Sequence, residues 1–143
     1  MTHPEEKTSE IILRYIPIMN EIVSSLGIDP KTCYDAENIS WSLQKGSAEV
    51  TLLLFSLEGK DYIEVSAPVI EAPEENELEF YRQLLEINSG IIGIKFALEN
   101  GLVWLLAQRE LDGLDESEAL TMLERVGNFA DEIEDKLKNE FGE

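Results

Sequence analysis

The sequence holds one cysteine, one histidine and no long apolar run, and each scarcity removes a class of function. Cys33 alone cannot close an internal disulfide, which fits a reducing compartment. Metal centres built from several Cys and His side chains are excluded by count. His3 lies in an acidic N-terminal stretch and offers Cys33 no partner in sequence, so no Cys–His nucleophile is indicated. Cys33 reads instead as a small hydrophobe. No stretch reaches the roughly 18 apolar residues of a membrane helix. Met1-Thr2-His3-Pro4-Glu5-Glu6 is polar and acidic where a secretory leader would be basic and then apolar, so a cytoplasmic location is expected.

Basic residues are also few: 11 against 30 acids, for a net charge of −19. A field of that sign repels phosphate backbones and anionic bilayers, so neither nucleic acid nor a membrane is an expected partner. It favours solubility and basic or amphipathic ligands. Carboxylates are so abundant that no pair of them stands out as an acid–base couple. Asp112-Gly113-Leu114-Asp115-Glu116 lacks the alternating ligands of a calcium loop and reads as a turn plus a helix cap. Gly90 and Gly93 lack the third glycine, and the following helix, of a phosphate-binding loop. The pattern indicates no catalytic, cofactor-binding or metal-binding residue and no cofactor, so the expected function is non-enzymatic.

What is present is an ordinary globular composition, 43% hydrophobic and 29% charged, over 143 residues, about the length of one domain. A single domain over residues 1–143 is expected, with residues 1–7 as a frayed tail. Ile11, Ile12, Tyr15, Ile16, Met19, Ile22, Val23 and Leu26 recur at helical spacing, with Thr8 or Ser9 as cap and Gly27 as stop. Pro17 inside this helix predicts a kink.

From residue 39 the period changes to that of strands. Residues 39–43, 48–55 and 62–69 form three short-linked strands, hence an antiparallel meander. Residues 76–88 return to helical spacing, with Asn76 and Glu79 as a capping box. Residues 92–99 and 102–110 flank Asn100-Gly101, the favoured pair for a two-residue hairpin turn. A last helix starts at Asp115, where Glu118 completes a capping box, and runs to about residue 139. The expected fold is α+β: a five-stranded antiparallel sheet with helices, in the order α-β-β-β-α-β-β-α.

Two strands break the alternation expected of a sheet covered on one side. Val103 and Leu105 point one way, but Leu102, Trp104 and Leu106 point the other; Leu53 and Phe55 likewise oppose Val50, Leu52 and Leu54. Either both faces are covered within the domain, or one is completed by a second subunit or a bound peptide.

The stretches Leu84-Leu85-Glu86-Ile87-Asn88, Gly93-Ile94-Lys95-Phe96-Ala97-Leu98 and Gly101-Leu102-Val103-Trp104-Leu105, with the helix after Leu111-Asp112-Gly113-Leu114, resemble the YbjN family. That family is related in fold to the type III secretion chaperones (Tir chaperone-like), and the resemblance covers roughly residues 8–140. It implies a small acidic cytosolic protein, often a dimer, whose sheet holds an extended segment of a client. It carries no client-specific residue to this chain.

The leading expectation is therefore a chaperone-like protein- or peptide-binding domain. A homodimeric regulatory or stress-related adaptor is the alternative, and an unrecognised enzyme a distant third. The expected peptide-binding face is Leu53, Phe55, Leu102, Trp104 and Leu106. Leu78, Phe80, Tyr81, Leu84 and Ile87, with the neighbouring strand 92–98, form the expected two-fold interface.

Overall fold

The computed structural model describes residues 8–142; the tail expected at residues 1–7, with His3, lies outside the described residues. Helix α1 spans Glu10–Ser25, and the Ser9 side chain accepts from the Ile12 amide at 3.0 Å. The helix continues across Pro17 and stops at Gly27, whose positive φ only glycine adopts freely. A single 3-10 turn at Pro30–Thr32 follows. The strands are β1 (Tyr34–Asp35), β2 (Ser40–Lys45), β3 (Ala48–Leu57) and β4 (Lys60–Glu71), then β5 (Lys95–Glu99) and β6 (Leu102–Glu110) beyond helix α2 (Glu77–Gly90). Helix α3, Glu116–Phe141, closes the chain.

The sheet is antiparallel at every pairing, in the order β1-β2-β3-β4-β6-β5. It has six strands where five are expected. The addition is β1, two residues too short to show an alternating pattern. Asn100 and Gly101 both take positive φ, as a type I′ turn requires. Asn76 does not cap α2 as expected: it sits in the left-handed region and its side chain makes no capping bond.

All three helices pack on one face. Ile12, Met19, Ile22 and Val23 of α1, Phe80 and Leu84 of α2, and Leu123, Val126, Ala130 and Leu137 of α3 form one core with the sheet. The sheet contributes Trp41, Val50, Leu52, Leu54, Ile63, Val65, Ala67, Val103 and Leu105 to it. The buried Trp41 indole donates to Asn20 Oδ1 at 2.9 Å, so the ring is covered without orphaning its N–H. Gly127 lets α3 approach the β2–β3 hairpin: a Cβ there would stand 2.5 Å from Lys45 Cγ.

Two carboxylates pin this frame. Asp115 caps α3 by accepting from the Glu118 amide at 2.8 Å, while Glu118 reaches back to the Asp115 amide, completing the expected capping box. Asp131 of α3 accepts from the Ser47 hydroxyl and amide in the β2–β3 turn. The Ser117 hydroxyl, then the Glu118 amide, hold Asp115 below the ordinary carboxylate range, and the Ser47 hydroxyl and amide do the same for Asp131. Both folded-state pKa values are depressed, so their stabilisation is full above the unfolded value and lost as pH falls through the folded one. Glu116 has the opposite sign: its protonated carboxyl donates to the neighbouring Glu21 carboxylate, and that shared proton raises its pKa. The difference between two proteins isolates the first pair. The melting temperature of the wild type should fall more steeply below about pH 4 than that of an Asp115→Asn/Asp131→Asn variant. Parallel curves in a calorimetric pH series would reject the assignment.

Candidate peptide-binding face

Side chains alternate between the faces of a strand, so the register places each residue. On the face away from the helices, Phe55 of β3 stands opposite Tyr62 of β4, and Tyr62 opposite Glu110 of β6. The next row is Ser40, Leu53, Glu64 and Gln108; the one after is Ser42, Thr51, Ser66, Leu106 and Lys95. Pro68, Trp104 and Ala97 follow, then Glu71, Leu102 and Glu99. A register shift between Pro68 and Ile70 turns both Val69 and Ile70 to the helix side, where they join or line the core.

The five residues expected to form one face are therefore on one face. Leu53 and Phe55 lie on β3, Leu102, Trp104 and Leu106 on β6, and β4 runs between them. The helix-side core, as the described residues define it, includes none of the five. Leu53, Phe55, Leu102 and Trp104 are half-buried, whereas Leu106 is only 1% exposed.

Sequence reasoning missed the middle of this face. Phe55 and Tyr62 stack with ring centroids 5.5 Å apart. Glu64 is buried and accepts from Gln108 Nε2 at 2.6 Å; Ser66 beside it is buried too. The face thus has an apolar end at Phe55, Tyr62 and Leu53, and another at Pro68, Trp104, Leu106 and Leu102. Along β4 the polar Glu64 and Ser66, with Gln108 beside Glu64, lie between Tyr62 and Pro68, while Leu53 and Leu106 stand in those same rows on the flanking strands. The alternation of Tyr62, Glu64, Ser66 and Pro68 with Ile63, Val65 and Ala67 was the available signal. At the second end a cleft of about 760 Å³ adjoins the face, lined by Pro68, Ile70, Ala72, Pro73, Leu102 and Phe141 among others.

The residues expected at a two-fold interface divide. Phe80 is 0% exposed, edge-on to Phe141 at 5.1 Å, and Leu84 is buried beside it. Both turn inward because α2 packs against the sheet and the end of α3, so they leave the expected surface. Tyr81 and Ile87 are half-buried against the core. The outward side of α2 instead presents Leu78 (75% exposed) and Leu85 (69%), with Ile92 (84%) and Leu98 nearby in the chain. Strand β5 forms one edge of the sheet, and Asn88 Oδ1 accepts from the Phe96 amide at 2.8 Å. Among the described residues no cluster of three or more His, Cys, Asp or Glu could hold a metal ion. Among them, too, no helix is long and apolar enough to cross a membrane.

The family profile described as type III secretion (YopN, CesT) and YbjN peptide-binding chaperone 1 matches residues 18–142. The chain belongs to this family. The YbjN and secretion-chaperone family is one of peptide-binding chaperones rather than of enzymes. Solved structures share its fold. The ExsC–ExsE complex matches with a TM-score of 0.70 and 22% identity, over 89% of this chain and 96% of that one. The ExoU–SpcU complex from the type III secretion system of Pseudomonas aeruginosa matches at 0.57 and 22%, over 82% and 95%. YbjN from E. coli, described as a candidate transcription regulator, matches at 0.60 and 10%, over 87% and 92%. None of the curated proteins matches the sequence. The order of elements is the expected one with the 3-10 turn and the short β1 added after α1.

Proposed function

We propose that this chain holds an extended segment of a client protein against the face formed by β3, β4 and β6, without acting on it chemically. The observation that carries this reading is a sheet face rich in large apolar groups outside the helix-side core, in a member of a peptide-binding chaperone family. Phe55, Tyr62 and Trp104 supply rigid aromatic area, the kind of surface that anchors binding hot spots. The acidic character of the chain suits a basic or amphipathic client in the cytoplasm.

The working unit in this reading is a single domain that pairs with a second copy. Leu78, Leu85, Ile92 and Leu98 are large apolar groups exposed on α2, the turn after it and the edge strand. In a two-fold dimer these groups would be covered by the same groups of the second copy. Such a dimer also fits a regulatory adaptor, and the two roles differ in whether the β3-β4-β6 face takes a client.

A photo-reactive side chain tests the client face directly. Placed at Thr51, on the client face, it should form adducts with client protein in native cytosol. Placed at the exposed Glu124 of α3 it should form none. Equal labelling from both positions would refute the assignment of the site.

A further inference from the structure

The client face has two apolar ends with a polar middle, and that layout specifies more than hydrophobicity. Along β4, Tyr62 marks one end and Pro68 the other, with Glu64 and Ser66 between them. Six residues of strand span about 20 Å at about 3.3 Å per residue. Tyr62 is stacked on Phe55, and Pro68 stands opposite Trp104, so each end offers an aromatic surface. Both ends are half-buried, so a ligand can reach them. The middle is different: Glu64 and Ser66 are buried, and the Glu64 carboxylate is hydrogen-bonded to Gln108. An apolar client group laid over β4 there meets a carboxylate and a hydroxyl, with Leu53 and the buried Leu106 only to its sides on the flanking strands. Acids stand at the ends as well, Glu110 in the Tyr62 row and Glu71 in the Leu102 row. A client carboxylate placed between the ends meets like charge from Glu64 as well as the net charge of −19.

From this arrangement, and resting on the client-face reading above, we infer the class of segment that fits. The face acts as a ruler for an extended segment with two large apolar side chains about six residues apart. A polar residue, basic rather than acidic, lies between them. One apolar group packs at Phe55 and Tyr62, the other at Pro68 and Trp104. Two separated anchors also explain how one face selects among clients: a segment with a single apolar group engages half the surface, and one with closely spaced groups cannot reach both ends.

Capped synthetic peptides of Ser, Thr and Gly carrying two phenylalanines test this by fluorescence anisotropy with the whole chain. The spacings compared are i,i+3 and i,i+6, with Lys or Glu midway. The i,i+6 peptide with Lys should bind at least about tenfold more tightly than the i,i+3 peptide of the same composition. Exchanging Lys for Glu should weaken binding, and the gap should narrow at about 0.5 M salt, where exposed charges are screened. A Phe55→Ala/Trp104→Ala variant should bind none of them measurably. Equal affinity at both spacings, still abolished in that variant, would overturn the ruler and leave the client face standing. Peptides that bind the variant as well as the wild type, or bind neither, would overturn the face and the ruler together.

Discussion

Phe80→Ala is expected to lower the unfolding free energy by about 3–5 kcal/mol, a large part of the 5–15 kcal/mol that holds a typical domain together. Its ring is 0% exposed and makes T-shaped contacts with both Tyr81 and Phe141, so truncation leaves a cavity that α2, α3 and the sheet would have to collapse to fill. Replacing both Leu78 and Leu85, on the outward side of the same helix, by Glu should change stability by no more than about 0.5 kcal/mol at each site. Those two leucines are 75% and 69% exposed, and their loss should act on self-association instead. Urea unfolding and sedimentation of the two variants separate the effects. The wild type should sediment as a dimer at micromolar concentration and the Leu78→Glu/Leu85→Glu variant as a monomer. A wild type that stays monomeric at high concentration would refute the two-fold interface. A stable Phe80→Ala would show that α2 is not docked through that ring.

Phe55→Ala with Trp104→Ala should cost at least about 2 kcal/mol of client binding, roughly a thirtyfold loss of affinity, as removal of interface aromatics commonly does. The melting temperature should change little, because neither side chain belongs to the helix-side core and both are half-buried. Leu106 is unsuitable for this purpose despite its place on the same face. At 1% exposure, Leu106→Ser would bury an unpartnered hydroxyl and lose stability as well as binding, so the two effects could not be separated. Binding should be measured by calorimetry on a client identified by cross-linking. Unchanged affinity in a folded double variant would remove this face as the site. Global unfolding of the variant would move both aromatics into the category of structural residues.

The elements were legible wherever local chemistry decided them. Asn100-Gly101 accepts the positive φ angles of a type I′ turn, and the turn is there. Asp115 and Glu118 form a capping box because their spacing alone brings each side chain to the other's backbone. Strand β1 was not legible, since two residues carry no periodicity, and it pairs with β2 only because the preceding turn delivers it there. Asn76 shows the converse: the Asn-x-x-Glu spacing suits a cap, but the approach of the chain puts Asn76 in the left-handed region and its side chain away from the helix amides.

The sequence by itself determined which residues share a side of each element, because alternation and helical spacing are properties of the backbone. It therefore named Leu53, Phe55, Leu102, Trp104 and Leu106 as anomalous, and the scarcity of Cys, His and Lys plus Arg turned the expectation toward protein binding. Only the tertiary structure decided what each side meets. The meander and the hairpin join through β4 and β6, which puts Tyr62, Glu64, Ser66 and Pro68 between the two anomalous strands. The same packing turns Phe80 and Leu84 inward and leaves Leu78 and Leu85 outside. Strand order and helix docking are long-range choices, set by how several apolar faces are buried at once, and no short window of residues encodes them.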